Sequence, residues 1–344
     1  MHRSHTDNCV YQRNRENDIL IVAVYVDDLL ILANNVKTID QIKEELSQKF
    51  EMTDLGEAHY CLGIQIIRDR QKGIIEINQA KYIEDVLKRF GMENSKPVAT
   101  PMQTGTKLSK SMSPVTKEEI DEMENVPYQS AIGSLMYAML GTRPDIAYAV
   151  GALSQYSSKP GKEHWRAVKW IMRYLRGSTD YRLQYRRGGG VIEGYSDADW
   201  ANNIDDRKST TGYTFRLAGA AVSWSSKKQA TVALSTTEAE YMALAQAVKE
   251  GIWLNRLLGE IGHSPRLPIT IHSDNQGAID LTKNSMYHSR TKHIDIKHHF
   301  LRDVVELGTV GIIFCGTENM VADILTKGLA KQKHSFFCKG LGLV

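Results

Sequence analysis

Ile19-Leu20-Ile21-Val22-Ala23-Val24-Tyr25-Val26-Asp27-Asp28-Leu29-Leu30-Ile31-Leu32 is a strongly apolar run broken near its middle by two adjacent acids. The β-branched residues before the pair and the aliphatic residues after it predict two short buried strands with the acids at the turn between them. The same two acids rule the run out as a membrane-spanning helix. Neighbouring carboxylates at a hairpin tip repel unless a cation or a proton intervenes. Mg²⁺ suits hard oxygen ligands and commonly accompanies phosphate, so Asp27 and Asp28 are candidate metal ligands. The competing reading is an ordinary Asp-rich turn.

Outward from this run, the chain has 344 residues, 42% of them hydrophobic, enough for one large core or, as favoured at this length, two or three smaller ones. Lys+Arg number 43 against 40 Asp+Glu, so any basic surface must be local. The four cysteines form no C-x-x-C pair, which predicts reduced thiols inside a cell. The N-terminus lacks the apolar stretch of a signal peptide.

Three blocks follow. Residues 1–105 mix strands and helices, with a helix expected near Ile39–Phe50, a strand at Tyr60–Arg68 and a helix at Gln79–Phe90. Pro97–Pro101 and the polar stretch 104–118 read as linker. Residues 126–187 predict helices over Tyr128–Leu140, Pro144–Ser157 and Lys162–Leu175. Gly188-Gly189-Gly190 marks a joint, and 191–335 predicts three strands, a helix, a strand, two helices, a strand and a helix. The fold class is therefore α/β (α+β overall), closing on a mixed sheet flanked by helices.

Acids fall at the ends of elements in this last block. Asp197 and Asp199 lie on its first strand, Glu238 and Glu240 open the long helix, Asp274 ends a strand, and Asp323 falls in the first turns of the terminal helix. Carboxylates from four elements could converge on two divalent ions about 3.5–4 Å apart, the arrangement used for in-line phosphodiester attack. Each acid also has a structural reading, since caps and helix dipoles favour acids at such places. Asp197 and Asp199 share one strand face and cannot be separated by periodicity. Glu238 and Glu240 are about 200° apart on a helix, so both cannot face one site.

Lys162, Arg166, Lys169, Arg173 and Arg176 form a basic row beside the apolar row Trp165, Val168, Met172 and Leu175. The apolar row should pack inward, leaving the basic row to track phosphates or simply to be solvated. His288, His293, His298 and His299 suggest zinc weakly, because structural zinc recruits close Cys/His pairs and no cysteine is near. With Arg290 and Lys292 among them, phosphate contact or a solvated face fits better.

Several motifs resemble the Pol polyprotein of copia-type long-terminal-repeat retrotransposons. Tyr-Ser-Asp-Ala-Asp-Trp-Ala (195–201), Asp-Arg-Lys-Ser-Thr-Thr-Gly-Tyr (206–213), Ser-Trp-Ser-Ser-Lys-Lys-Gln (223–229), Ala-Leu-Ser-Thr-Thr-Glu-Ala-Glu-Tyr (233–241), His-Ser-Asp-Asn (272–275), Arg-Thr-Lys-His-Ile-Asp-Ile (290–296) and Ala-Asp-Ile-Leu-Thr-Lys (322–327) resemble its ribonuclease H domain. Upstream, Tyr-Val-Asp-Asp (25–28), Asp-Leu-Gly (54–56), Leu-Gly-Ile (62–64) and Gly-Thr-Arg-Pro-Asp (141–145) resemble its reverse transcriptase.

The resemblance implies the end of a reverse transcriptase palm over 1–105, a linker with helical thumb and connection over 106–188, a ribonuclease H-like domain over 189–335 and a tail at 336–344. It implies Asp197, Glu240, Asp274 and Asp323 as nuclease metal ligands, with Mg²⁺ or Mn²⁺ as cofactor. It implies Asp27 and Asp28 as polymerase ligands, and it favours Asp197 over Asp199 and Glu240 over Glu238. An RNA–DNA hybrid and primer-template would be the partners, gripped by the basic row. The missing N-terminal polymerase portion or other retroelement proteins would be further partners, and no membrane is expected. The expected location is the cytoplasm, in a retroelement particle, and the nucleus.

Two departures temper this. Cys315-Gly316-Thr317-Glu318 stands where cellular ribonucleases H carry a histidine. Only 24 residues precede Tyr25, too few for the strand bearing a third palm acid, so weak or absent polymerisation is expected. The alternative function is a catalytically idle remnant that only binds nucleic acid or protein.

Overall fold

The computed structural model describes residues 1–15, 18–188, 190–263, 267–283 and 295–344. Strands β1 (His2–Arg3), β2 (Val10–Arg15), β3 (Asp18–Tyr25) and β4 (Asp28–Ala33) make an antiparallel sheet in that order. Helix α1 (Val36–Ser47) packs Ile42 against Leu20 and Val22 of β3, a small core. The hairpin expected from residues 19–32 is present, with Tyr25 paired to Asp28. Its strands are not buried as expected: only Leu20 and Val22 of β3 are, and β4 stays half-buried to exposed because one small helix covers the sheet. β1 and β2 were not anticipated, because their residues are mostly polar.

A second antiparallel sheet joins β5 (Tyr60–Cys61), β6 (Ile64–Asp69), β7 (Ile74–Asn78) and β8 (Leu183–Arg186). β8 arrives from over a hundred residues downstream, so the block read as helical also supplies a strand. Between them lie α2 (Ala80–Arg89), α3 (Lys117–Glu124), α4 (Tyr128–Gly141), α5 (Ala147–Ser154) and α6 (Lys162–Arg176). Leu87, Leu135, Leu153, Val168, Met172 and Leu175 belong to one core, so the apolar row of α6 faces inward as its spacing predicts.

The third sheet runs in the order β11 (Ala220–Lys228), β10 (Thr210–Leu217), β9 (Glu193–Asp199), β12 (Ile269–Ser273), β13 (Val310–Phe314). β9, β10 and β11 are antiparallel neighbours, whereas β12 runs parallel to β9 and β13 parallel to β12. This is the mixed sheet expected from the order of elements. Helix α7 (Thr236–Glu260) lies on it, with Tyr241, Leu244 and Val248 wholly buried against Phe215 and Ile271. α8 (Gln276–Lys283) and α9 (Asp295–Glu306) follow β12. Among the described residues, no helix is long and apolar enough to cross a membrane.

The C-terminal end differs from expectation twice. Asp323 lies in a short 3-10 segment, Val321–Leu325, rather than in the terminal helix, α10 (Lys331–Gly340). Residues 336–344, expected as a tail, complete α10 and enter the core. Phe337, Cys338, Leu341 and Leu343 are buried, and Leu343 bridges Leu183 of β8. Burial of these apolar side chains offsets the entropy of ordering the segment.

Candidate metal centre

Asp197 sits on β9 opposite Gly212 of β10. A Cβ on Gly212 would come 2.6 Å from Thr326 and 2.9 Å from Leu325, so the absent side chain lets the 321–325 segment lie directly on the sheet. That contact brings Asp323 to Asp197. Asp274 follows the last residue of β12, while the neighbouring Asn275 caps α8, its Oδ1 accepting from Ala278 N at 2.9 Å. Asp274 is thereby released from the capping role that its position would allow. One carboxylate oxygen each from Asp197, Asp274 and Asp323 lies within 4.8 Å of the others.

Glu240 lies on α7 and is buried beside this trio. The Ala198 backbone N–H donates to its carboxyl, while its Oε2 is buried without a hydrogen-bond partner among the described residues. Glu238, by contrast, serves the helix start. Its backbone N–H donates to Ser235 Oγ at 3.1 Å, and its Oε2 accepts from Leu234 N at 2.8 Å. Asp199 is half-buried and stands outside the trio.

Hydroxyls and lysines complete the surroundings. Thr326 donates to Asp197 Oδ2, and Thr317 donates to Asp274 Oδ2 at 2.7 Å. Lys327 Nζ lies 2.8 Å from Asp323 Oδ1 and 3.8 Å from Asp197 Oδ2, and Lys333 Nζ lies 2.5 Å from Asp323 Oδ2. Burial, with the nearby Asp323 and Asp274 charges, pushes Asp197 up to about 7 against the pull of Lys327. Burial first, then the Asp197 and Asp274 charges, pushes Glu240 up to about 10. Carboxyls that resist ionisation this strongly, one with an unpartnered buried oxygen, fit a site built for added positive charge. The all-oxygen donor set fits Mg²⁺ or Mn²⁺.

Lys327, Lys333, Thr317 and Thr326 were given no role in the sequence reading. Lys327 carried a signal, four residues beyond Asp323. Lys333 carried none, since its approach depends on how α10 docks.

The remaining candidates are not drawn into such a group. Asp27 and Asp28 are exposed at the hairpin turn, beyond the strands expected to wall them, next to Tyr25 and Val26 at 60% and 82% exposure. Among the described residues, no third acid, histidine or cysteine joins them in a metal-holding group. His288, Arg290, Lys292 and His293, and the side chain of His298, fall outside the described residues. His299 is described, on α9, and belongs to no such group.

On α6 the basic row is less free than its spacing implied. Lys162 pairs with Glu122, and Arg166 pairs at 2.5 Å with Glu163 three residues earlier on the same helix. Arg173 Nε donates to Lys96 O at 2.7 Å, and Arg176 Nε donates to Glu93 O at 2.6 Å. The Lys169 ammonium lies 6.0 Å from the Trp165 ring centroid.

A reverse transcriptase (RNA-dependent DNA polymerase) family model matches residues 1–104. The chain is 49% identical over 340 residues to the retrovirus-related Pol polyprotein from transposon TNT 1-94 of Nicotiana tabacum, covering 98% of this chain and 26% of that protein. It is 33% identical over 250 residues to a putative transposon Ty5-1 protein of Saccharomyces cerevisiae, covering 72% of this chain and 79% of that protein. The chain spans about a quarter of the length of the polyproteins it matches. Among solved structures, it is similar to LC11-RNase H1, with 15% identity, a TM-score of 0.32 and coverage of 40% of this chain and 93% of that one.

Proposed function

This chain belongs to the family of copia-type long-terminal-repeat retrotransposon Pol polyproteins, and we propose that it cuts the RNA strand of RNA–DNA hybrids with the help of divalent metal. The observation that carries the reading is the convergence of Asp197, Asp274 and Asp323 within 4.8 Å on the mixed sheet. Glu240 stands beside them with a buried oxygen that has no hydrogen-bond partner among the described residues.

Asp197, Asp274, Asp323 and Glu240 would hold Mg²⁺, or Mn²⁺ in its place. Such metals lower the pKa of an attacking water and stabilise the departing 3′ oxygen. Thr326 and Thr317 fix the orientation of Asp197 and Asp274 through their hydroxyl donors. Lys327 and Lys333 offset part of the carboxylate charge at Asp323. Selection for RNA would come from contacts to 2′-hydroxyls. Asp27 and Asp28 would belong in this reading to a polymerase site of the reverse transcriptase part.

Asp274→Asn removes one ionisable ligand and preserves side-chain volume. On a labelled RNA–DNA hybrid with Mg²⁺, the wild-type chain should cleave, and the variant should lose at least about a hundredfold in rate, the equivalent of roughly 2.7 kcal/mol. Circular dichroism should show both folded. Cleavage by the variant at the wild-type rate would refute the assignment. Hybrid binding without cleavage by the wild type would favour the idle remnant.

A further inference from the structure

Four arginines from distant parts of the chain meet beside the β5–β8 sheet. Arg68 lies on β6 and Arg70 just beyond it, while Arg186 ends β8 and Arg187 follows. Together they line a groove of about 350 Å³ floored partly by Ile75 and Tyr185. The pairing register sets Arg68 opposite Ile75 and Ile75 opposite Tyr185, one row on one sheet face.

The approach is built by the backbone. Arg187 N donates to Gly73 O at 2.8 Å, and Arg186 N donates to Ala218 O at 2.7 Å. Gly73 has φ +64°, and a Cβ there would lie 2.9 Å from the Arg187 Cβ. The turn therefore needs glycine to come this close.

The groove's positive charge is only partly cancelled locally. Among the described residues, Arg68 and Arg187 make no ion pair or side-chain hydrogen bond, although the Glu57 carboxylate feels the Arg68 charge. Arg186 is held by a neutral acceptor, Gln184 Oε1, at 2.6 and 2.9 Å. Arg70 pairs with Glu57 at 2.8 Å, and Asp69, the acid lining the groove, is already engaged by Lys72. On α6, by comparison, two of the five cations are ion-paired and two more donate to backbone carbonyls, and the row lies along one helix instead of closing a groove from two strands.

We propose that this arginine groove, rather than the outer row of α6, grips the phosphate backbone of the nucleic acid. The proposal rests on the reading that the chain acts on RNA–DNA hybrids. Guanidinium forks match phosphate oxygens in pairs, which suits them to a backbone better than point charges. The groove also adjoins the acidic centre's sheet. Ala218 follows β10, whose Arg216 is paired with Glu193 at the start of β9. Asp197 lies four residues further along β9, about 13 Å at roughly 3.3 Å per residue. Ala218 is two residues beyond Arg216, so the groove's edge lies about 20 Å along the strands from the level of Asp197, at roughly 3.3 Å per residue.

The test uses the full chain carrying Asp274→Asn, so that the hybrid stays intact, and fluorescence anisotropy of a labelled RNA–DNA hybrid two helical turns long across a salt series. Adding Arg68→Ala and Arg187→Ala should weaken binding about tenfold near 0.1 M salt. It should also flatten the log–log salt slope by about 1 to 2, at roughly 0.9 per lost phosphate contact. Arg68→Lys with Arg187→Lys should keep most of the slope, and Lys169→Glu with Arg173→Glu should cost less than the alanine pair. An unchanged slope in the alanine pair, or a larger loss from the α6 reversal, would overturn the groove assignment alone. So would loss of polyglutamate binding with hybrid binding intact, which would assign the groove to an acidic protein. Failure of the parent chain to bind hybrid at any salt would instead overturn the nucleic-acid reading beneath it.

Discussion

Glu240 shows at the residue scale what a buried cluster of acids costs a fold. Its carboxyl is raised by burial and by neighbouring charges to about 10, and that of Asp197 to about 7. A carboxyl raised in the folded state favours folding below its unfolded value, near 4.5 for Glu, and loses that contribution as pH climbs through the folded value. Stability without divalent ions should therefore decline from about pH 4.5 upward. Glu240→Gln should raise the melting temperature at pH 8 in chelator, by about 2 to 4 °C for each kcal/mol relieved, and flatten its pH dependence. Added Mn²⁺ should then stabilise the wild type more than the variant. A lower melting temperature for the variant in chelator would contradict this account. The acids themselves were legible in the sequence because each closes or opens an element. Their ranking was not: strand periodicity leaves Asp197 and Asp199 equivalent, and it is the 321–325 segment crossing Gly212 that meets one of them.

Among the elements, α10 departs most from its sequence. Phe337, Leu341 and Leu343 are visibly apolar, yet nothing local says which surface they cover. Docked against β8 and the 321–325 segment, α10 delivers Lys333 to Asp323, with Phe337 beneath the ammonium at 5.2 Å. If Asp323 is a metal ligand, as proposed, an ammonium on its carboxylate opposes cation binding there. Lys333→Met should tighten Mn²⁺ binding by about tenfold in calorimetry, Lys333→Arg should stay near wild type, and weaker binding by the methionine variant would show the lysine to be a support instead. β8 was missed for a related reason. Leu183-Gln184-Tyr185-Arg186 does alternate, but four residues are too few to signal a strand whose partner lies beyond α6. The longer periodic stretches α1, α2, α4 and α6 were all visible, because each has turns enough for an apolar face to repeat.

For the whole molecule, the sequence divides into three blocks at its polar and glycine-rich stretches, and the order of elements predicts the mixed sheet. Long-range closure has no such signature. Arg143 and Asp145 are fully buried and paired at 2.8 Å, with Tyr174 of α6 donating to Asp145 at 2.6 Å and its ring edge-on to His334 of α10. Loss of either charge would leave the other uncompensated, typically costing 3–5 kcal/mol. Three segments from two blocks meet there, the 143–145 turn, α6 and α10, which no single stretch of sequence announces.

The strand borrowed by the second sheet has a practical corollary. β7 and β8 pair across the exposed stretch around Lys107, while Arg173 and Arg176 clasp the chain at Lys96 and Glu93. Trypsin nicking after Lys107 should therefore yield two polypeptides that co-elute as one particle in gel filtration and part only in denaturant. Separation under native conditions would mean that a covalent tether, and not shared hydrogen bonds, keeps the halves together.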